Sequence, residues 1–180
     1  MLQKQRGNKF WNLYDSSPQK LSHKLRPGLF LDTEPLIIYL VGLYDSRYGS
    51  NFLGKFNRQK IDFTVLARFF QQMKVKHFIV TPQILAEFWS LTKNNLGGRH
   101  PDFIEKIIPY LKNDVIEEYV KKEIILESDI ITKYGITDIG TLTVVKKKKC
   151  PALICDWALS GLLEKNDAVV IYFEQLKELK

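Results

Sequence analysis

One short stretch near the start of the chain, Gly28–Thr33, constrains the fold most strongly. Its apolar run, set off by a Pro-Gly pair, predicts a buried β-strand that ends in Asp32 and is followed by a helix over Pro35–Tyr44. This pattern puts a carboxylate at the carboxyl end of a strand. In open α/β sheets, ligands bind at that edge because helix amino termini and loops converge there. We therefore expect Asp32 to belong to a binding site.

Strands and helices alternate along the rest of the chain. Apolar runs predict further strands at His77–Val80, Pro151–Cys155 and Ala168–Phe173. Helices are predicted over residues 61–73, 83–94, 100–112, 115–125 and 157–165, and residues 45–60 are predicted to form a long surface loop. This alternation indicates an α/β fold in which helices cover both faces of a parallel sheet.

The stretch from residue 128 to residue 145 carries mixed signals. Ser128–Gly135 has the pattern of a short helix that a glycine ends. The β-branched side chains of residues 141–145 favour a strand, since such side chains are stiff in helices. Against this, Thr137-Asp138 is a good helix start, and apolar side chains at positions 139, 142 and 145 keep helical spacing. On balance, the residues favour a helix.

Length and composition predict one globular domain. The chain has 180 residues, of which 45% are hydrophobic and 26% charged, enough for one sizeable core and too few for two ordinary domains. No apolar run approaches the roughly 20 residues needed to span a membrane, and the amino terminus lacks the apolar core of a signal peptide. A cytoplasmic location is therefore expected. Cys150 and Cys155 have no metal-ligand neighbours, so neither a disulfide framework nor a zinc site is predicted.

Positive charge is concentrated at the amino terminus. Residues 1–27 contain six Lys and Arg residues against one Asp, which is +5 of the formal net charge of +7. We predict a basic extension over residues 1–27 and a folded domain over residues 28–180. Such an extension binds a polyanion such as RNA or serves only as a solvated tail. A self-association surface at its aromatic residues Phe10 and Trp11 is a further expectation, which would make the protein a homo-oligomer.

Three further acids occupy positions comparable to that of Asp32. Asp156 ends an apolar strand, whereas Glu87 and Asp138 lie near the starts of helices that follow a strand or a tight turn. In a parallel sheet, all four point toward one edge. Carboxylate oxygens suit hard divalent cations, and two such ions can promote an in-line phosphoryl displacement. Each acid also has a structural alternative: the aspartates can be helix caps, and Glu87, on the apolar stripe of its helix, can be a core acid paired with Lys or Arg.

The four acids lie in four short motifs that occur in a fixed order. The motifs are Leu29–Thr33, Thr81–Phe88, Tyr134–Leu142 and Leu153–Ser160, and the predicted strand Ala168–Phe173 follows them. Together they cover residues 28–175, and they resemble the PIN domain family of metal-dependent ribonucleases. The resemblance implies a three-layer α/β/α sandwich with a central, mainly parallel sheet, a Mg²⁺ or Mn²⁺ cofactor and the cleavage of RNA. It also implies a helix over residues 138–145.

The resemblance further implies roles for individual residues. Asp32, Glu87, Asp138 and Asp156 look like the metal-binding and catalytic acids of a divalent-metal-dependent endoribonuclease that leaves 5′-phosphate ends, with Asp156 acting through water or a second ion. Thr33 is expected to hydrogen-bond the substrate or one of the acids, or else to act as a plain cap. Apart from the resemblance, the basic run of Lys146, Lys147, Lys148 and Lys149 is expected to steer the RNA backbone or to be a solvated charge run.

The chain also departs from the family pattern. Many members have Thr-Asp-Asp where this chain has Cys155-Asp156-Trp157, so a hydroxyl and a second acid are missing. The interval from Asp32 to Glu87 is longer than in the small toxin members. Two alternatives to an active nuclease therefore stay open. The chain can be the toxin of a toxin–antitoxin pair, blocked by an antitoxin protein, or a non-catalytic RNA-binding or assembly module that keeps the fold.

Overall fold

The strands of the protein form a single parallel sheet. The computed structural model describes residues 24–178, and within them five strands pair in the order β3-β2-β1-β4-β5. All four pairings are parallel. The strands are β1 (Leu29–Leu31), β2 (Phe78–Val80), β3 (Val115–Glu117), β4 (Ala152–Ile154) and β5 (Val170–Tyr172).

Helices connect these strands. They are α1 (Thr33–Tyr48) and α2 (Lys60–Gln72) after β1, α3 (Pro82–Leu96) and α4 (His100–Asp114) after β2, α5 (Lys122–Leu126) and α6 (Ile131–Lys148) after β3, α7 (Trp157–Lys165) after β4, and α8 (Phe173–Glu178) after β5. Short 3₁₀ helices lie at Leu53–Phe56 and Gly97–Arg99. Across the described part of the chain, no helix combines the length and apolar character needed to cross a membrane.

The sheet order determines which helices share a face. Parallel crossovers are right-handed, so the path outward through β1, β2 and β3 places α1 to α4 on one face, and the return to β4 and β5 places α5 to α7 on the other. In agreement, α1 packs on α2, α3 and α4, whereas α6 packs on α5 and α7. The result is a three-layer α/β/α sandwich, which confirms the predicted fold class.

The core lies around the four buried strands. Strands β1, β2, β4 and β5 consist of buried residues, as expected when helices cover both faces of a parallel sheet. Leu25 packs in the same core, and its carbonyl accepts a hydrogen bond of 3.0 Å from the Gly28 amide. Residues 1–23 of the predicted basic extension, including Phe10 and Trp11, lie outside the described residues.

The helix predicted over residues 115–125 is wrong. Val115–Glu117 is instead strand β3, whose residues Val115 and Ile116 lie opposite Phe78 and Ile79 of β2, and α5 starts only at Lys122. The β-branched Val115 and Ile116 favour a strand. Because β3 is a three-residue edge strand that is partly exposed, it lacks the longer apolar run by which a buried strand is recognised.

The long loop predicted over residues 45–60 is also wrong in part. Helix α1 continues to Tyr48 and ends at Gly49, whose φ of 66° is left-handed. The Asp45 carboxylate then accepts hydrogen bonds from the amides of Phe52 and Leu53, at 2.8 and 2.9 Å. These bonds hold the connection against the domain, so the residues after Leu53 have a defined place at the edge of the sheet.

Gly135 interrupts helix α6. Its φ of 85° and ψ of 176° are far from helical values and favour glycine. The helix then continues to Lys148, so residues 138–145 are helical, as predicted. The glycine therefore ends one helical segment and leaves Asp138 in the first turn of the next.

Candidate active site

A cleft opens where the strand order reverses. The chain leaves β1 toward β2 and later returns to β4 on the other side of β1, and ligands of open α/β sheets bind beyond the carboxyl ends of strands at such a switch point. The cleft has a volume of about 670 Å³. Its lining includes all five side chains that the motifs singled out, namely Asp32, Thr33, Glu87, Asp138 and Asp156.

Asp32 and Asp156 are helix caps as well as cleft residues. The Oδ1 atom of Asp32 accepts a hydrogen bond of 2.8 Å from the Thr33 amide at the start of α1. Asp156 Oδ1 accepts one of 2.8 Å from the Leu159 amide in α7. The capping interpretation is therefore correct for both, and it does not compete with ligand binding. A carboxylate has about four acceptor positions, so each cap keeps acceptor capacity for a ligand.

Glu87 lies on the cleft side of α3 and not in the core. The buried face of this helix is formed by Ile84, Phe88 and Thr92, so the prediction that Glu87 shares the buried stripe is wrong. Its carboxylate instead accepts a hydrogen bond of 2.6 Å from the Thr33 hydroxyl. The helix turns by about 100° per residue, which leaves position 87 beside the apolar stripe rather than on it.

Asp138 reaches the cleft from the opposite helix layer. It follows the break at Gly135 in α6, and Tyr134, Gly135, Ile136 and Thr137 line the cleft with it. The first turn of α3 packs against the same helix, since Thr81 and Gln83 are the nearest neighbours of Gly140 from that side. The contact between α3 and α6 therefore brings Asp138 and Glu87 into one cleft across the edge of the sheet.

The grouped carboxylates perturb one another. Burial raises the pKa of Asp32 from 3.8 to about 7, with repulsion from Glu87, Asp138 and Asp156 adding to the rise, although the hydrogen bond from Thr33 lowers it. Burial, and then repulsion from Asp156 and Glu87, raise the pKa of Asp138 from 3.8 to about 6. A cation bound among these side chains would offset both the cost of burying the ionised carboxylates and the repulsion between them.

Several cleft residues were not predicted as site residues. Lys55, Asn57 and Arg58 enter from the connection between α1 and α2, and Asn95 enters from the end of α3. Arg58 Nε donates a 2.7 Å hydrogen bond to Glu34, and its Nη1 donates one of 3.1 Å to Glu174 in α8. The basic composition of residues 45–60 was the available signal, but no motif showed that this connection returns to the sheet edge.

The lysine run is not part of this cleft. It lies at the far end of α6, about 12 Å along the helix axis from Asp138 at its nearest residue, Lys146, and leads into the amino end of β4. Lys147 and Lys148 both form ion pairs with Glu118, the former at 3.5 Å, and Lys148 is the main cause of the lowered pKa of Glu118. Lys146–Lys149 therefore do not line the carboxylate cleft, and their role in steering RNA stays a prediction.

The four carboxylates of the cleft suit a hard cation, but their side chains do not lie close enough together to hold one. Four carboxylates lining one cleft provide the oxygen ligands that Mg²⁺ and Mn²⁺ prefer. Within residues 24–178, however, no three His, Cys, Asp or Glu side chains are grouped as closely as a ready-made metal site requires. Binding of a cation therefore requires these side chains to approach one another.

Comparisons of the chain with protein-family models, with curated proteins and with solved structures found no match. The arrangement of the cleft and the motif resemblance therefore remain as the indications of function.

Proposed function

We propose that the protein is a PIN-type endoribonuclease that uses Mg²⁺ or Mn²⁺ to hydrolyse RNA phosphodiester bonds. One observation carries the proposal: four acids that are widely separated in the sequence line a single cleft at the switch point of a parallel sheet. Helix capping accounts for Asp32 and Asp156 separately, but it does not account for Glu87 and Asp138 lining the same cleft.

The carboxylates have separate tasks in this proposal. Asp32, Glu87 and Asp138 would hold the cation, while Asp156 would accept a hydrogen bond from the attacking water. Bound there, the cation would supply an activated water and electrostatic stabilisation of the phosphate. Thr33 acts as a positioning residue, because its amide and its hydroxyl bind two different acids of the set. The network limits the conformations that Asp32 and Glu87 can adopt before substrate binds.

The opposite wall of the cleft supplies contacts for the RNA. Lys55 is exposed on the 3₁₀ helix and forms no ion pair with any described residue. Its ammonium group can therefore bind a backbone phosphate without breaking an existing ion pair. Arg58 is already held by Glu34 and Glu174, so it fixes the wall instead. Asn57 on this wall, and Asn95 at the end of α3, add neutral hydrogen-bond donors.

A non-catalytic RNA-binding module is the second candidate. The missing second acid of Cys155-Asp156-Trp157 favours it. In that case the cleft would bind RNA without a chemical step. The toxin hypothesis, with its antitoxin partner, stays a prediction from the motif resemblance.

The test is cleavage of 3′-labelled RNAs by the purified full chain in Mg²⁺ or Mn²⁺. Asp32→Asn and Asp138→Asn are compared with Asp129→Asn, which changes an exposed acid outside the cleft. We expect metal-dependent cutting with 5′-phosphate products, reduced at least a hundredfold in the first two variants and unchanged in the third. RNA binding without cutting in either metal would favour the non-catalytic module. Cutting that survives both cleft substitutions would refute the assignment of the site.

A further inference from the structure

An exposed tryptophan lies beside the carboxylate cleft. Trp157 is the first residue of α7 and directly follows Asp156, whose carboxylate caps that helix. Trp157 is 58% exposed, although tryptophan is on average among the more buried residues of folded proteins. The function proposed above gives it no task, because hard cations bind oxygen ligands and the indole group has none.

The buried ring of Tyr172 supports this tryptophan at the edge of the sheet. The centroids of the two rings are 4.2 Å apart, with an angle of 36° between the ring planes. Tyr172 is the last residue of β5 and lies opposite Ile154 of β4, two residues before Asp156. Burial raises the pKa of Tyr172, and repulsion from nearby groups, Asp156 among them, adds to the rise. The two rings therefore lie at the carboxyl ends of the strands, next to the acids.

Packing of α7 on the sheet does not account for the exposure of Trp157. The contact with Tyr172 holds the start of α7 against β5, which is a sufficient reason for an apolar side chain at position 157. It gives no reason for a side chain so large that more than half of its surface remains in solvent. Tryptophan at a surface is typical of binding interfaces, where its ring provides a large and rigid contact area.

Apolar side chains are also exposed inside the carboxylate cleft. Leu91 and Ile136 line it and are 37% and 51% exposed. Leu91 follows Glu87 by about one turn of α3, and Ile136 precedes Asp138 by two residues in α6. Apolar side chains do not bind a cation or a phosphate group, so the ligand of this cleft has an apolar part as well as a charged one. A nucleotide has both, since its phosphate can bind a cation held by the acids while its base presents a flat π-face.

We infer that Trp157, supported by Tyr172, stacks on a nucleobase of the RNA next to the phosphodiester bond held at the carboxylates. The choice of RNA as the ligand rests on the proposed function. Consecutive Cα atoms are only about 3.8 Å apart, so a nucleotide whose phosphate lies at Asp156 can place its base at position 157. Every base has a π-face, so stacking tolerates all four bases. The larger purine rings cover more of the indole group, which gives this position a modest preference for purines.

The experiment measures the binding of short 5′-fluorescein RNAs to the full chain by fluorescence anisotropy. Binding is measured in EDTA and in Ca²⁺, a hard cation that carboxylates also bind. The probes are oligoadenosine, oligouridine and an abasic ribose-phosphate oligomer of the same length. Trp157→Leu removes the aromatic ring and Trp157→Phe keeps one. The control is Trp89→Leu, at a 49% exposed tryptophan of α3 that lies outside the lining of the cleft.

We expect Trp157→Leu to bind oligoadenosine about tenfold more weakly than the wild type, as is usual when one stacked base loses its aromatic partner. Its affinity for the abasic oligomer should stay within about twofold of the wild type, because that probe has no base to stack. Trp157→Phe should recover most of the affinity for oligoadenosine, and Trp89→Leu should match the wild type. The wild type should prefer oligoadenosine to oligouridine. Equal weakening for oligoadenosine and the abasic oligomer, or an unchanged affinity for oligoadenosine, would overturn the inference.

Tryptophan emission and sedimentation provide independent measurements. A base stacked on an indole ring quenches its emission, so oligoadenosine should quench the wild type and Trp89→Phe more strongly than Trp157→Phe, and the abasic oligomer should quench none of them. Sedimentation velocity tests whether the exposed ring is instead a contact between two copies of the chain. A smaller sedimentation coefficient for Trp157→Leu, with its affinity for RNA unchanged, would overturn the inference.

The two proposals fail separately. If the wild type cuts no RNA in Mg²⁺ or Mn²⁺ but Trp157→Leu loses the base-dependent part of binding, the nuclease proposal is wrong and the stacking site is retained. If the wild type cuts RNA and Trp157→Leu cuts oligoadenosine with the same KM and kcat, the stacking site is wrong and the nuclease proposal is retained. An absence of RNA binding by the wild type in both EDTA and Ca²⁺ would overturn the inference.

Discussion

Thr33 donates hydrogen bonds to two of the candidate metal ligands, Asp32 and Glu87. Its hydroxyl donates a hydrogen bond of 2.6 Å to Glu87, which is 54 positions away in the sequence, while its amide donates one of 2.8 Å to Asp32. Thr33 is 5% exposed, so the donor groups of both bonds are shielded from solvent, although Glu87 itself is exposed. The first residue of α1 thereby ties α3 to the carboxyl end of β1.

Replacing Thr33 by valine tests this positioning role. Valine keeps the shape of the side chain and removes only the hydroxyl, so we expect about 1 kcal/mol lower stability and a tenfold to hundredfold lower apparent affinity for Mn²⁺, the usual effect of losing a residue that orients a ligand. Thr33→Ser keeps the hydroxyl and should restore most of the affinity. Equal Mn²⁺ affinity in the valine and serine variants, measured by calorimetry, would show that the contact is only structural.

The raised pKa of Asp32 predicts how pH affects the metal-free protein. As pH rises from about 4 to about 7, Asp32 ionises in the unfolded chain but not in the folded protein, since its pKa is raised from 3.8 to about 7. Stability therefore falls across this window and is greatest below it. In EDTA at pH 7.5, Asp32→Asn should be more stable than the wild type by roughly 2–4 kcal/mol, at about 1.4 kcal/mol per pKa unit.

Urea denaturation of both proteins at pH 4 and pH 7.5 measures this effect. Comparing the variant with the wild type at each pH cancels the contributions that other titrating groups make to stability. One such group is Glu118, whose lowered pKa gives a stabilisation that is lost as pH falls. The advantage of Asp32→Asn should be present at pH 7.5 and nearly absent at pH 4. A difference between the two proteins that is the same at both pH values would contradict the account.

Lys55 is the cleft residue for which substrate contact is predicted most specifically. Lys55→Gln should raise the KM for RNA roughly tenfold with a smaller change in kcat, because one phosphate contact is lost from ground state and transition state alike. Lys60→Gln, at the start of α2 and outside the cleft, is the matched control. Steady-state cleavage of a labelled RNA distinguishes them, and an equal KM in both variants would remove Lys55 from the site.

The break in α6 predicts a backbone effect at Gly135. A Cβ added there would meet no atom within 4 Å, but the φ of 85° is one that L-residues rarely adopt. Gly135→Ala should therefore lower the unfolding free energy by about 1–3 kcal/mol and weaken metal binding through Asp138. Gly98→Ala, which also faces open space but has no positive φ, should change neither property. Equal thermal stability of the two variants would contradict this account of the break.

Local patterns in the sequence were sufficient for much of the fold. The buried strand before Asp32 was predictable because its apolar run is continuous and bounded by Gly28, and the helix start at Thr81-Pro82 because both residues are typical of the first turn. Strand β3 was not, since it depends on pairing with β2 at the sheet edge rather than on its own short run. Tertiary contacts decide such elements.

The candidate site, like the fold, was predictable only where local sequence patterns determine it. The acids could be named because each follows a local strand or helix signal, and the topology then brings them to one edge. The orientation of Glu87 could not be predicted, because a shift of one position on a helix separates the buried stripe from the wall of the cleft. The approach of Lys55 depends on Asp45, which anchors the amides of Phe52 and Leu53, and no local pattern records such a long-range contact.

A metal-dependent nuclease requires that the carboxylate cleft bind a divalent cation, and this binding can be measured directly. Isothermal titration with Mn²⁺ should compare the wild type with Asp32→Asn, Asp138→Asn and the exposed-acid control Asp129→Asn. We expect saturable binding by the wild type and the control, with an affinity at least tenfold weaker in both cleft variants. Absence of Mn²⁺ binding by the wild type, or the same affinity in all four proteins, would show that these carboxylates do not form a metal site.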